Sequence, residues 1–472
     1  MQKRNLSFWQ MWHLSFGFFG VQIAYSLQNA NISRIFTTLG ADPHDLSFFW
    51  ILPPLMGMIV QPLVGKYSDK TWTRFGRRIP YLFIGSLISI LVLCLLPNSG
   101  SFGFAVSGAM IFGLIMLMLL DTSLNMAMQP FKMLVGDMVN EEQKAKAYSI
   151  QSFLCNAGSI VGYVLPFFLG LFMSNAGEGV SPVVKMSFYI GAVVLILCVL
   201  YTTWKVKEMP PKEYAEFHGV DLQKKEEGPK PGMLQLLKEA PSTFWTVGLV
   251  QFFCWAAFLF MWTYTTGALN ETIWVIPETL KDIPEALKDT NPELFEKLTA
   301  EKKDLVDAAG NWTGILFAVQ AIGSVLWALV IPKFKSIKKA YAVSLLIGAV
   351  GFASVYVLSQ TDITMQISAF GSIHNVEVTA DLLLSLSFLL IGVAWAAMLA
   401  VPFTLLTNSL KGDNLGTYLG LFNCTICLPQ IAAGACGGLI LGLVGGGQLT
   451  MFLVAGVFLV LGALSIRFIK TK

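Results

Sequence analysis

A chain of 472 residues that is 55% hydrophobic and only 13% charged, with 35 Phe, is too apolar for a soluble enzyme of its length. The formal net charge of +3 is small and the Lys and Arg gather in particular loops, which argues for a polytopic membrane protein and against nucleic acid as a partner. Cys94, Cys155, Cys198, Cys254, Cys424, Cys427 and Cys436 all lie in apolar stretches, so they read as packing residues; neither a disulfide framework nor a metal site at the CTIC of Cys424 to Cys427 is expected.

The N-terminal MQKRNLSFWQMWHLSFGFFG runs into a long apolar span without a small-residue cleavage site and reads as retained. A hydrocarbon core of about 30 Å is crossed by roughly 20 helical residues. Cuts at charged or Gly/Pro/Asn-rich breaks then predict helices over 8–33, 47–68, 80–97, 103–136, 148–173, 184–206, 242–268, 310–332, 340–359, 380–409, 417–443 and 448–468. The expected fold class is an all-α membrane protein with twelve transmembrane helices. After the sixth, KVKEMPPKEYAEFHGVDLQKKEEGPKPG is polar and Pro-rich and cannot enter hydrocarbon, so 207–241 reads as a cytoplasmic linker between six-helix halves at 1–206 and 242–472. QPFKMLVGDMV on the fourth helix is echoed by VPFTLLTNSLK on the tenth, which points to a parallel repeat. With both termini cytoplasmic, most Lys and Arg fall inside, and five of the remainder sit in one net-acidic outer loop, 269–309. That loop reads as short surface helices broken by prolines, either a solvated cap or a partner site.

Chemistry-bearing residues follow in chain order. His13 is placed for interfacial packing or for titration, and Arg34 as an interfacial anchor. In GKYSDKTWTRFGRR, 65–78, Asp69 lies just past the second helix, while Arg74, Arg77 and Arg78 offer donors to a carboxylate or to helix C-terminal carbonyls. The cluster is either a latch for the inner side or a positive-inside stop signal. In LLDTSLNMAMQPFKMLVGD, helical spacing puts Asp121, Asn125, Met128 and Lys132 within roughly 60° of one another, with Gln129 just beyond. A carboxylate at a helix centre costs about 2.5–3.5 kcal/mol on insertion scales, so Asp121 is expected to face a cavity and exchange a proton there. Lys132 lies about 16 Å further along the axis, too far to pair with Asp121. It is either a gate residue at the cytoplasmic mouth, close to Asp137, or a snorkelling lysine. Pro130 should free the carbonyl of Met126 or kink the helix beside the site.

Sugars are recognised by amides and carboxylates for the hydroxyls and an aromatic face for the C–H side of the ring. The spans offer Gln22, Gln28, Asn29, Asn125, Gln151, Asn156, Gln251, Trp255, Asn423 and Gln430, each of which alone could be interhelical glue. Gln22, Asn125 and Trp255 are the preferred substrate contacts, with Asn156, Gln251 and Asn423 completing the candidate set.

Gly65, Asp69, Gly76, Arg77 and Arg78 resemble the loop motif of the major facilitator superfamily, with a few extra residues between Asp69 and Gly76. ILPPLMGMIVQPLVGKYSDKTWTRFGRRIP and LLDTSLNMAMQPFKMLVGD resemble the second and fourth helices of proton-coupled sucrose transporters and their relatives, the glycoside–cation symporters. GVQIAYSLQNA and LGTYLGLFNCTICLPQIAAGACGG are similar to that family's first and eleventh helices, so the likeness runs along most of the chain. The resemblance implies the major facilitator fold, Asp121 as the proton site, and importance for the basic residue eleven positions on, usually Arg and here Lys132. QFFCWAAFLFMWTYTTG is similar to the family's aromatic seventh helix but has Trp262, Thr263 and Tyr264 where an acid is usual. Asp121 is therefore expected to be the only acid in mid-membrane.

Residues and resemblance together predict a proton-coupled symporter, and no enzyme, that carries a glycoside or a disaccharide of the sucrose or maltose type into the cell across the inner membrane. Its expected partners are the sugar, the proton and the lipid bilayer, without cofactor or metal, and the expected state is a monomer. Sodium coupling, drug export by the same fold and a sugar sensor stay open as alternatives.

Overall fold

The computed structural model describes residues 5–42, 46, 49–173, 179–208, 233–281, 283–284, 286–369, 372–409 and 421–469. Of the expected linker, residues 209–232 lie outside these. Among the described residues twelve long helices carry the fold: α1 Phe8–Thr38, α2 Leu52–Lys70, α3 Ile79–Leu95, α4 Val106–Met138, α5 Glu141–Gly170, α6 Pro182–Lys205, α7 Ser242–Thr272, α8 Pro292–Ala328, α9 Ile337–Leu358, α10 Ala380–Ser409, α11 Cys424–Val444 and α12 Thr450–Ser465. Among the described residues ten helices are long and apolar enough to cross a membrane; α1 spans 31 residues, and the apolar part of α2 is the shorter Leu52–Gly65.

Most predicted breaks fall within a few residues of the helix ends; α1 runs on to Thr38, past the expected 33, α5 begins at Glu141, before the expected 148, and α8 departs furthest. α8 begins at Pro292, well before the expected 310. Asn291 caps it, its side chain accepting from the Leu294 N–H at 3.2 Å, with Pro292 in the first turn and Glu293 favourable beside the free N–H groups. Half of the supposed outer loop is thus an extension of a membrane helix, preceded by the short helices Glu278–Lys281 and Ala286–Thr290. Between α9 and α10 lies an antiparallel hairpin that hydropathy does not reveal, β1 Ile363–Ala369 with β2 Ser372–Val378, in the register Ile363 to Val378 through Ala369 to Ser372.

Two compact units emerge from the packing: Met1–Asn29 with Leu52–Leu165 and Val184–Ala240, and Ala30–Ile51 with Pro166–Val183 and Pro241–Lys472. Lipid is as apolar as Leu, so helix association in a bilayer rests on close approach and polar contacts more than on hydrophobic burial. Glycine supplies that approach. In the first unit a Cβ on Gly85 of α3 would stand 2.8 Å from the Ser123 carbonyl of α4, and Ser89 donates to Ser123 Oγ at 2.8 Å. The second unit repeats the device: a Cβ on Gly351 of α9 would stand 2.8 Å from the Ser387 carbonyl of α10, and the Ser354 and Ser387 hydroxyls lie 2.8 Å apart. α1 crosses α5 on Gly158 and Gly162, where added Cβ atoms would sit 2.5 and 2.7 Å from the Phe19 and Ile23 carbonyls. Outward-facing Leu91, Ile111, Leu197, Leu329 and Leu443 are exposed, as a lipid-facing surface requires.

Two helix starts are held by a distant carboxylate. Glu208, just past α6, accepts from the backbone N–H groups of Arg77, Arg78 and Ile79 at 2.9, 2.8 and 2.6 Å, satisfying donors at the start of α3. Glu271, near the end of α7, does the same for α12, accepting from the Gln448 and Leu449 N–H groups at 2.8 and 3.0 Å. A positive-φ glycine adjoins each, Gly76 at +107° and Gly447 at +79°, and in both cases a Cβ would collide with the carboxylate.

Candidate functional site

α4 sets the first cluster. Asp121 is fully buried, and its Oδ1 accepts from Gln28 Nε2 of α1 at 2.7 Å, while its Oδ2 and the Gln28 Oε1 have no partner. One turn on, Asn125 donates from Nδ2 to the Asp121 carbonyl at 2.8 Å and accepts at Oδ1 from Gln61 Nε2 of α2 at 2.7 Å. Three helices of the first unit thus meet through three amides at residue 121, and Gln28 is the one that bonds its carboxylate. The α4 helix runs unbroken through Pro130 to Met138, and the face read from the sequence divides along its length: Asp121 and Asn125 are buried, whereas Lys132 is exposed. Of the α1 amides, Gln28 is the one that meets Asp121, while Gln22 is half-buried beside Gly158. Asn156 donates within its own helix, to the Ser152 carbonyl at 2.8 Å. Gln61 had not been singled out; a glutamine inside the apolar run ILPPLMGMIVQPLVG was its signal.

The α2–α3 loop sets the second. Arg77 and Arg78 are buried, and both donate to Asp137 Oδ2 of α4, at 2.7 and 3.1 Å; Arg78 also bonds Ser68 Oγ. Asp137 is therefore served by the loop arginines. Arg74 stays exposed with its guanidinium over the Phe75 ring at 4.7 Å, and the Asp69 side chain lies outside the described residues. Burial pushes the Glu208 carboxyl above its ordinary value, against the three backbone N–H groups and the Arg78 charge, which pull it down.

The second unit holds two further clusters. Trp255, 8% exposed, meets Trp395 of α10 edge to face with centroids 5.6 Å apart, and its Nε1 has no partner. Gln251 donates to the Met398 carbonyl of α10 at 3.3 Å and leaves its Oε1 unpartnered. Asn423 stands at the start of α11, its Nδ2 3.8 Å from Cys427 Sγ. Arg34 overturns its reading as an interfacial anchor. It is 1% exposed and donates through Nε and Nη2 to Asp307 Oδ1 of α8, at 2.9 and 2.5 Å, and through Nη1 to Asn311 Oδ1 at 3.0 Å. Asp307, 2% exposed, is a second buried acid, paired where Asp121 is not. The guanidinium fits because residue 310 is glycine; a Cβ there would stand 2.5 Å from Arg34 Cδ.

The sequence model of the Major Facilitator Superfamily matches residues 14–275. The chain is 25% identical, over a 487-residue alignment, to sucrose transport protein SUT1 of Oryza sativa subsp. japonica, covering 96% of this chain and 86% of that one. It is 26% identical over 207 residues to proton-associated sugar transporter A of Homo sapiens, covering 42% and 27%. Its fold superposes on that of a D-xylose-proton symporter with a TM-score of 0.61 at 16% identity, covering 98% of this chain and 96% of that one. The nucleoside transporter NupG matches with a TM-score of 0.60 at 15% identity, covering 98% and 100%.

Proposed function

The chain belongs to the Major Facilitator Superfamily, and on that premise we propose that it is a secondary active transporter that takes up a glycoside or disaccharide of the sucrose or maltose type together with a proton. It works as a monomer in the cell's inner membrane, with both termini in the cytoplasm. The similarity to sucrose and proton-associated sugar transporters supports the cargo.

The observation that carries the coupling is the half-satisfied Asp121. One carboxylate oxygen is bonded to Gln28 and the other is buried and bare, as is the Gln28 Oε1. An unpaired charge is expensive in such surroundings, and a proton on Oδ2 removes it. The amide of Gln28 serves both states: its N–H₂ donates to the carboxylate, and after rotation its oxygen accepts from the carboxylic acid. Asp307, by contrast, has Arg34 as a counter-charge and is already compensated. Gln22, Asn125, Asn156, Gln251, Trp255 and Asn423 are the candidate amide and aromatic contacts for the sugar. Asp69, Arg74, Arg77, Arg78 and Lys132 belong to the inner gate, with the Arg77–Asp137 and Arg78–Asp137 pairs as its fastening. At 100 mV a proton contributes about 2.3 kcal/mol, enough for roughly fifty-fold accumulation of an uncharged sugar.

Uptake into proteoliposomes with an imposed pH step and potential, followed with labelled maltose or sucrose and a pH-sensitive dye, tests this reading. Sugar accumulation with proton entry supports it. Counterflow of lipophilic dyes without sugar movement would replace it with drug export.

A further inference from the structure

Gln251, Trp255, Phe258 and Trp262 follow one another on α7 at spacings of four, three and four, which places them within an arc of about 60° on a helix. α10 meets this stripe with Trp395 and with the Met398 carbonyl that Gln251 grips. Trp395 stands nearly perpendicular to both Trp255 and Trp262, at 76° and 83°, with centroids 5.6 and 5.7 Å away. Trp262 is braced from behind by Trp50, stacked at 22° and 6.3 Å, whose Nε1 donates to Ser33 Oγ at 3.1 Å. Trp50 and Trp255 are buried, whereas Trp262 and Trp395 are half-buried. The last two therefore retain ring surface that no protein atom covers.

A cluster built only for packing has no reason to strand polar atoms, since a buried donor or acceptor without a partner is costly. Here two are stranded one helical turn apart: the Trp255 Nε1 donor and the Gln251 Oε1 acceptor. One hydroxyl placed between them would accept from the indole and donate to the amide. Beside it, the indole surface of Trp262 and Trp395 matches the C–H face of a six-membered sugar ring. A ligand with a rigid apolar face and a hydroxyl on its rim is a pyranoside.

We propose that Trp395 and Trp262 form the platform on which a pyranosyl ring of the cargo lies, with Trp255 Nε1 and Gln251 Oε1 holding one of its hydroxyls. This rests on the sugar-transport reading and changes its detail: Trp255 is the polar contact and the support, and Trp395 is the stacking ring. Pyranosides should be preferred over open-chain polyols, which have the hydroxyls without the rigid face.

The test is equilibrium binding of labelled maltose to purified wild type, Trp395→Ala, Trp395→Phe and Trp255→Phe, with sucrose, methyl α-glucopyranoside and sorbitol as competitors. Trp395→Ala should weaken the bound pyranoside about tenfold and Trp395→Phe about threefold or less, as expected for loss or retention of a stacking ring. Trp255→Phe, which keeps an aromatic ring but loses the N–H and part of the indole, should weaken it about fivefold or more. In a series of monodeoxy maltoses, one position should bind Trp255→Phe and wild type alike. If the alanine variant does not fold, Trp395→Cys takes its place, and maltose should protect that thiol from a methanethiosulfonate reagent. Unchanged affinity in Trp395→Ala, or unprotected labelling of Trp395→Cys in protein that binds maltose, overturns the platform and leaves sugar transport standing. Wild type that binds no member of the panel overturns the transport reading itself.

Discussion

Neutralising Asp307 should destabilise the protein more than removing the whole ion pair. Arg34 and Asp307 are 1% and 2% exposed, so neither charge can turn to water when its partner is lost. Removing one member of such a pair costs about 3–5 kcal/mol, most of it the burial of the charge left behind. Asp307→Asn leaves Arg34 with Asn311 and another neutral amide, and Arg34→Met leaves Asp307 with no cation. The double variant, Arg34→Met with Asp307→Leu, leaves no charge and should be less destabilised than either single change. Over 472 residues, an unfolding entropy of about 2.1 cal/mol/K per residue gives about 1 kcal/mol/K, so each single change should lower Tm by about 3–5 °C. Thermal unfolding of the purified protein in detergent, run as a double-mutant cycle, reads this directly. Strictly additive losses would show that the two charges do not depend on each other. Gly310→Ala gives an independent check, because its Cβ would press on Arg34 Cδ and should reproduce part of the loss.

Asp121→Asn keeps the shape and an acceptor oxygen but cannot titrate, so proton-driven accumulation should vanish while sugar-for-sugar exchange in proteoliposomes persists; retained accumulation with proton flux refutes Asp121 as the coupling residue. Gln28→Leu removes the donor that Asp121 accepts at 2.7 Å and should lower the rate of coupled uptake at least tenfold, a difference that initial-rate measurements resolve. Arg77→Ala and Arg78→Ala each remove a donor to Asp137 and should raise thiol labelling of cysteines introduced near the α2–α3 loop. Because burial holds the Glu208 carboxyl above its ordinary value, the folded protein binds that proton more readily than the unfolded chain. The stability linked to Glu208 is therefore greatest below the ordinary glutamate range and falls as pH rises through the raised value; Tm against pH should lose that slope in Glu208→Gln.

The helices were legible because their boundaries are chemical: the charged and Gly/Pro/Asn-rich breaks that interrupt apolar runs are what a bilayer cannot accept. α8 was misplaced because its first turns project a charged surface, and hydropathy reads PELFEKLTAEKKDLVDAAG as loop although Asn291 and Pro292 spell a helix start. Asp121 could be found in the sequence, since an acid in an apolar run stands out wherever it points. Its partner could not, because Gln22 and Gln28 lie on the same helix and only the rotation of α1 decides which meets α4. Arg34 hid its partner by 273 residues of chain, and Asp307 sat in what looked like a solvated loop. Trp395 lay inside LLIGVAWAAML with no polar neighbour to mark it, and only the proximity of α7 gives it meaning.

Glu208 also fixes where the chain leaves α6. Its carboxylate is fastened to three consecutive amides at the head of α3, and Gly76 has no side chain to push it off. Any pull arriving through the residues that follow is delivered sideways into the backbone of Arg77 to Ile79 before it reaches the last turn of α6. The fastening acts as a strain relief: a load applied beyond Glu208 is taken up before it can unwind the helix it follows. The same joint binds the end of α6 to the loop whose arginines grip Asp137, so a load arriving past Glu208 and the grip on α4 bear on a single stretch of three residues.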